Sequence, residues 1–90
     1  MNKILKELTN ECWLTNETFL KRKGNYKVSY KNLKIEHFYY NHKICEVDIM
    51  KMEFSLFYCG YRGYRLTIAQ INFLEKFYKE KGYKLVKIYD

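Results

Sequence analysis

The sequence has no proline, only four glycines and one tryptophan, and just three cysteines, two histidines, two aspartates and three arginines. Each shortage excludes something. With no proline and no Gly/Ser-rich stretch there is no linker between two cores, so residues 1–90 are expected to form one small domain. The cysteines, Cys12, Cys45 and Cys59, are odd in number and lack CxxC spacing, which fits reduced thiols in a cytosol better than a disulfide framework. No apolar run approaches the roughly 20 residues of a membrane span. The opening Met1-Asn2-Lys3-Ile4-Leu5-Lys6-Glu7 lacks the apolar centre of a signal peptide, so a cytoplasmic protein with no membrane partner is expected.

Catalytic and cofactor chemistry is also thinly represented. The sequence has no Walker loop, dinucleotide fingerprint or zinc-finger spacing, and no cofactor is expected. His37, His42 and Cys45 are the only close group of metal-ligand side chains, but their spacing matches no established site and a fourth ligand is unassigned, so no metal is expected. Nothing local marks Cys45 or Cys59 as an activated thiol. A metal-free ribonuclease would draw its acid and base from His37, Glu36 and Tyr40. The expectation is a protein without catalysis.

What is abundant is aromatic and basic. Ten Tyr, six Phe and one Trp make 19% of the chain, and in a domain this short most rings are expected in the core, where they bury much area for few frozen torsions. Fourteen Lys, an excess of Asn, Ile and Tyr and the lack of Pro follow from AT-rich codons. That bias suits a low-GC bacterium or one of its phages or mobile elements, in which case the address is the host cytoplasm.

The periodicity predicts an α+β fold. Ile4, Leu5, Leu8 and Cys12 suit a short N-terminal helix running toward Trp13. Thr18 to Arg22 suits an additional strand, joined to Tyr26 by Lys23-Gly24-Asn25. Tyr26, Val28 and Tyr30 alternate with Lys27, Ser29 and Lys31, and Leu33, Ile35, His37 and Tyr39 alternate in the same way after a turn near Lys31-Asn32. Beyond a turn at Asn41-His42 the apolar phase runs through Cys45, Val47 and Ile49, then slips to Met52, Phe54, Leu56 and Tyr58. One long strand with a bulge near Met50-Lys51 is expected there. Thr67-Ile68-Ala69-Gln70 has the form of a capping box and predicts a helix over about 67–81, stopped by Gly82. A short closing strand follows, with Leu85 facing opposite Val86 and Ile88. The sum is an antiparallel meander of three to four strands, an N-terminal helix, a capped C-terminal helix and a final strand.

Net charge is +7, and Lys21, Arg22, Lys23, Lys27, Lys31 and Lys34 contribute six of it within fourteen residues that hold no acid. Such a hairpin suits a phosphate backbone; the plainer reading is lysine guarding a solvated edge. The tandem Gly60-Tyr61-Arg62-Gly63-Tyr64-Arg65 holds two of the three arginines, and Tyr61, Arg62, Tyr64 and Arg65 are suited to stack on bases or to anchor a protein contact. Lys76, Lys79, Lys81, Lys84 and Lys87 surround the end of the last helix, where they oppose its dipole. These patterns point to a non-enzymatic module that binds nucleic acid or a nucleoprotein through the basic hairpin and the Tyr/Arg segment. The alternative is a small inhibitor or adaptor, of the phage or mobile-element kind, that contacts a host protein. Phe38, Tyr40, Phe57 and Tyr58 leave rings on both strand faces, which is also what a homodimer would require.

Overall fold

A computed structural model describes residues 3–15, 18–58 and 65–89, with residues 65–67 described in their backbone alone. Helix α1 (Lys3–Leu14) is followed by strands β1 (Phe19–Lys23), β2 (Tyr26–Lys31), β3 (Lys34–Tyr39), β4 (His42–Asp48) and β5 (Glu53–Phe57). Helix α2 (Arg65–Glu80) and strand β6 (Lys84–Tyr89) complete the chain. The strands form one sheet in sequential order, antiparallel from β1 to β5, with β6 added parallel to β5 across α2. The α+β class expected from the sequence is therefore correct, but the sheet has six strands, more than the three-to-four-strand meander and final strand.

Both helices lie on one face of the sheet, α1 against β1 and β2, and α2 against β4, β5 and β6. The alternation of β2 explains why: Tyr26 and Val28 are buried beneath the helices, together with Ile35, Cys45, Val47, Phe54 and Leu56 from the next three strands. From α1, Leu5, Leu8 and Cys12 close on them at helical spacing, and Ile71, Leu74 and Tyr78 do so from α2. Trp13 bridges the helices, its ring edge-on to Phe77, Tyr78 and Tyr83 at 5.8–6.4 Å.

The extra strand in the middle arises from a turn with little turn chemistry. Where one bulged strand was expected, β4 and β5 are separated by a turn at Ile49 to Met52 and pair as a hairpin. The device is Asp48, whose Oδ1 accepts the Lys51 amide at 3.1 Å, while Met52 takes φ of +54°. The bulge lies earlier. His37 faces Cys45 and Phe38 faces Lys43, so Ile44 is the extra residue and is buried beside Cys45. Two of the other tight turns also sit one residue away from expectation: Asn32-Leu33 and Tyr40-Asn41 carry positive φ, which removes Leu33 from β3.

Helix α2 begins two residues before Thr67, so the expected capping box is not formed. Gln70 is buried, and its Nε2 donates to the Tyr26 hydroxyl instead of reaching back along the helix. The other end matches expectation. Gly82 takes φ of +91°, its amide bonds to the Lys79 carbonyl, and the Tyr83 amide bonds to that of Tyr78 at 2.9 Å, which is a Schellman stop. In β6 a second bulge, at Val86, pairs Leu85 with Phe54 and Ile88 with Leu56. Leu85 and Ile88 therefore share the helix side, whereas the sequence pattern had set them apart.

The left-handed φ of Gly82, and not crowding, is what requires glycine, because an added Cβ would meet only the Met52 Cε at 3.6 Å. Gly82→Ala should lower the stability by about 1–2 kcal/mol, read as a shift in the urea midpoint, with Gly82→Asn costing less. An unchanged Gly82→Ala midpoint would contradict the Schellman assignment.

Candidate nucleic-acid interface

Register decides where each basic side chain of the hairpin points. β1 pairs with β2 through Phe19 with Tyr30, Lys21 with Val28 and Lys23 with Tyr26, so Lys21 and Lys23 lie on the helix side. There α1 meets them. Lys21 bonds to Glu11 at 2.9 Å and Lys23 to Glu7 at 3.0 Å, and the hydrogen bond from Lys23, aided by its charge, holds the Glu7 carboxyl below its usual pKa. These two lysines dock the edge strand on α1, a role the charge count alone could not reveal.

Arg22, Lys27, Lys31 and Lys34 lie on the opposite face, which no element covers among the described residues. Lys34 pairs with Glu46 at 3.4 Å. The other three have no carboxylate partner among the described residues: Arg22 donates to the amide oxygen of Asn41, Lys27 sits 4.3 Å from the Phe38 ring centroid, and Lys31 is exposed. Tyr61, Arg62 and Tyr64 lie outside the described residues. Arg65 opens α2, and its side chain lies outside the description. Phe57 and Tyr58, the last described residues before this segment, stand at the end of β5 nearest Lys27 and Phe38 in the register.

The uncovered face is ordered into rows. One runs Arg22, Lys27, Phe38 and Lys43 across β1 to β4, and continues through Phe57 to Tyr89 on β6. Both bulges serve it. Were the strands regular through Ile44 and Val86, with no bulge, Lys43, Lys87 and Tyr89 would turn to the helix side. The next row holds Ser29, Glu36, Glu46, Ser55 and Lys87, and the last holds Lys31, Lys34, Asp48, Glu53 and Lys84. Lys43 lies 2.9 Å from Glu36 and 3.5 Å from Glu46. Burial lowers its pKa, but the hydrogen bond and charge of Glu36, with Glu46 behind, outweigh burial and hold it above the usual lysine value. Phe38, Lys43, Phe57, Lys87 and Tyr89 share the candidate face and are absent from the residues the sequence singled out for binding nucleic acid. The rings of Phe38 and Phe57 were visible there only as an excess of aromatics for one core.

The catalytic candidates do not converge. His37 is fully buried under the helices, its Nε2 2.6 Å from the Tyr78 hydroxyl, while Glu36 is on the other face of β3 and Tyr40 is exposed in a turn. Cys45 is buried opposite His37, and burial, with a smaller push from Glu46, raises its thiol pKa; burial also pushes Cys12 up to about 12. His42 lies exposed at the start of β4, and among the described residues no three of His, Cys, Asp and Glu are gathered as metal ligands would be. Lys79 makes an i,i+4 pair with Glu75 at 2.6 Å.

Set against known proteins, the chain matches no family model, no curated protein and no solved structure.

Burial lowers the His37 pKa from 6.5 to about 3. The unfolded chain therefore takes up a proton that the fold refuses, so stability is full above about 6.5 and declines as pH falls toward 3, by up to about 1.4 kcal/mol per pH unit. Urea midpoints taken at about pH 7 and about pH 5 should drop for the wild type and drop less for His37→Leu. That variant should also be weaker at neutral pH because it strands the Tyr78 hydroxyl. Equal losses in the two proteins would mean that His37 is not the group responsible.

Proposed function

We propose that the chain is a non-enzymatic nucleic-acid-binding module whose phosphate-binding surface is the uncovered sheet face at the β1–β2 edge. The observation that carries this reading is that Arg22, Lys27 and Lys31 project together from that face with no carboxylate partner among the described residues. Cations left unneutralised beside one another gain from releasing the counterions of a polyphosphate, and little else on a small domain rewards their spacing. Tyr61, Arg62, Tyr64 and Arg65 belong to the proposal because the chain leaves β5 for them beside Phe57, on the same row. The separation of His37 from Glu36 and Tyr40 favours binding over cleavage.

A protein-contact reading, in which the chain is an inhibitor or adaptor, draws on Leu20, which is 70% exposed on the same face as Arg22. It predicts weak salt dependence, whereas phosphate binding collapses as salt rises.

Fluorescence anisotropy with labelled DNA and RNA at about 50 and 200 mM salt decides between them. Wild type should bind at the lower salt and lose most of its affinity at the higher. Lys27→Glu with Lys31→Glu should cost at least about tenfold in affinity while leaving the circular dichroism spectrum intact. Lys6→Glu with Lys76→Glu, on the helices, carries the same change of net charge and should bind nearly as wild type does. Equal losses in both double variants would reduce the effect to net charge and remove the assigned face.

A further inference from the structure

The row that crosses the uncovered face combines cations with rings: Arg22, Lys27, Phe38, Lys43, Phe57 and Tyr89, without a carboxylate among them. Neighbouring strands lie roughly 4.8 Å apart, so six strands carry the row across roughly 24 Å. Phe38 stands alone on β3, and beyond β4 the rings of Phe57 and Tyr89 stack with centroids 4.4 Å apart and planes 2° from parallel. Every one of these rings is faced by an ammonium group: Lys27 is 4.3 Å from the Phe38 centroid, Lys43 is 5.4 Å from Phe57 and Lys87 is 4.6 Å from Tyr89.

Resting on the nucleic-acid-binding reading above, we infer that this row is a stacking platform for single-stranded nucleic acid. Bases lie against Phe38 and against the Phe57–Tyr89 pair, and phosphates lie against Arg22, Lys27 and Lys87. A single strand is the occupant that matches both halves of the row, being a polyanion whose flat, weakly solvated base faces are open to rings. A duplex presents phosphates but keeps its base faces inside the stack, so it would use the cations and leave the rings idle.

The lysines that now cover the rings do not obstruct this occupant. A cation–π contact at an exposed site is weak, whereas base–aromatic stacking is the stronger interaction. A lysine stem is flexible enough to move its ammonium from ring to phosphate with the backbone fixed. Lys27 and Lys87 then each exchange a ring for a phosphate, Lys43 stays with Glu36 and Glu46, and the rings take bases in place of the ammonium groups. Glu36 and Glu46, in the adjacent row, repel phosphate and confine the strand to the row that holds the rings.

The test compares labelled oligothymidylate, labelled oligouridylate and a duplex of equal length at about 50 mM salt. Both single strands should bind about tenfold or more tightly than the duplex, and any difference between them reads the sugar. Phe38→Leu and Tyr89→Leu should each weaken single-strand binding about tenfold and leave duplex binding within about twofold. Equal affinity for single strand and duplex, or ring variants that bind single strands as the wild type does, overturns the inference and leaves the basic face standing. No binding of any of the three removes both readings. Should a ring variant fail to fold, photocrosslinking of an iodouracil oligonucleotide to the wild type gives the answer. Adducts at Phe38, Phe57 or Tyr89 support the platform, and adducts confined to other residues overturn it.

Discussion

The hydroxyl of Tyr78 and Nε2 of His37, 2.6 Å apart in the middle of the core, key α2 to the sheet. Around that bond the Tyr78 ring also meets Trp13 of α1, Phe54 of β5 and Tyr83 beyond the helix, so both helices and the centre of the sheet touch one side chain. Its carbonyl accepts the Tyr83 amide that ends α2. Both groups are neutral near neutral pH. Burial keeps His37 neutral by lowering its pKa to about 3, and it raises that of Tyr78 well above the ordinary tyrosine value. Nδ1 of His37 has no hydrogen-bond partner among the described residues.

Concentrating the core on one side leaves the other side of the sheet with a different problem. Two helices packed together against Trp13 cover one face only, and the second face must be stable while wet. It is held by cross-strand pairs, Lys27 with Phe38, Lys43 with Glu36, and Phe57 with Tyr89, and by the contact of Lys43 with Glu46 on its own strand. Each such pair at an exposed site contributes little, about 0.2–1 kcal/mol, so none commits the face to structure alone. A surface made of weak, exchangeable contacts loses little when a ligand replaces them. On the helix side Lys21 pairs with Glu11 and Lys23 with Glu7, so those two charges already have carboxylate partners.

Local periodicity made α1, most of α2, the β2–β3 pair and the Gly82 stop legible in the sequence. These elements depend on neighbours within a few residues, which a pattern can display. The β4–β5 turn did not announce itself, because it rests on one side chain, Asp48, and on Met52 in a conformation that its residue type disfavours. The capping box misled for a related reason: Gln70 finds the Tyr26 hydroxyl, a partner forty-four residues away in sequence. Part of the candidate site could be read from alternation, which placed Lys27 and Lys31 on one face. The loss of Lys21 and Lys23 to α1, and the gain of Lys43, Phe57 and Tyr89, needed the register of the whole sheet.

The two bulges bear most directly on whether the row of cations and rings has been built or has merely accumulated. A bulge interrupts the ladder and leaves one residue unpaired, so it persists only where what it re-aims compensates. At Ile44 the compensation is partly burial, since Ile44 and Cys45 both enter the core. At Val86 no such gain exists: Val86 is 47% exposed, and Ile88, which the bulge turns toward the helix side, is 53% exposed. What the second bulge does achieve is to set Tyr89 parallel to Phe57 and Lys87 over the Tyr89 ring. Core packing alone does not account for that placement, whereas the stacking of Tyr89 on Phe57 and the seat of Lys87 against the Tyr89 ring compensate the interrupted ladder on the uncovered face.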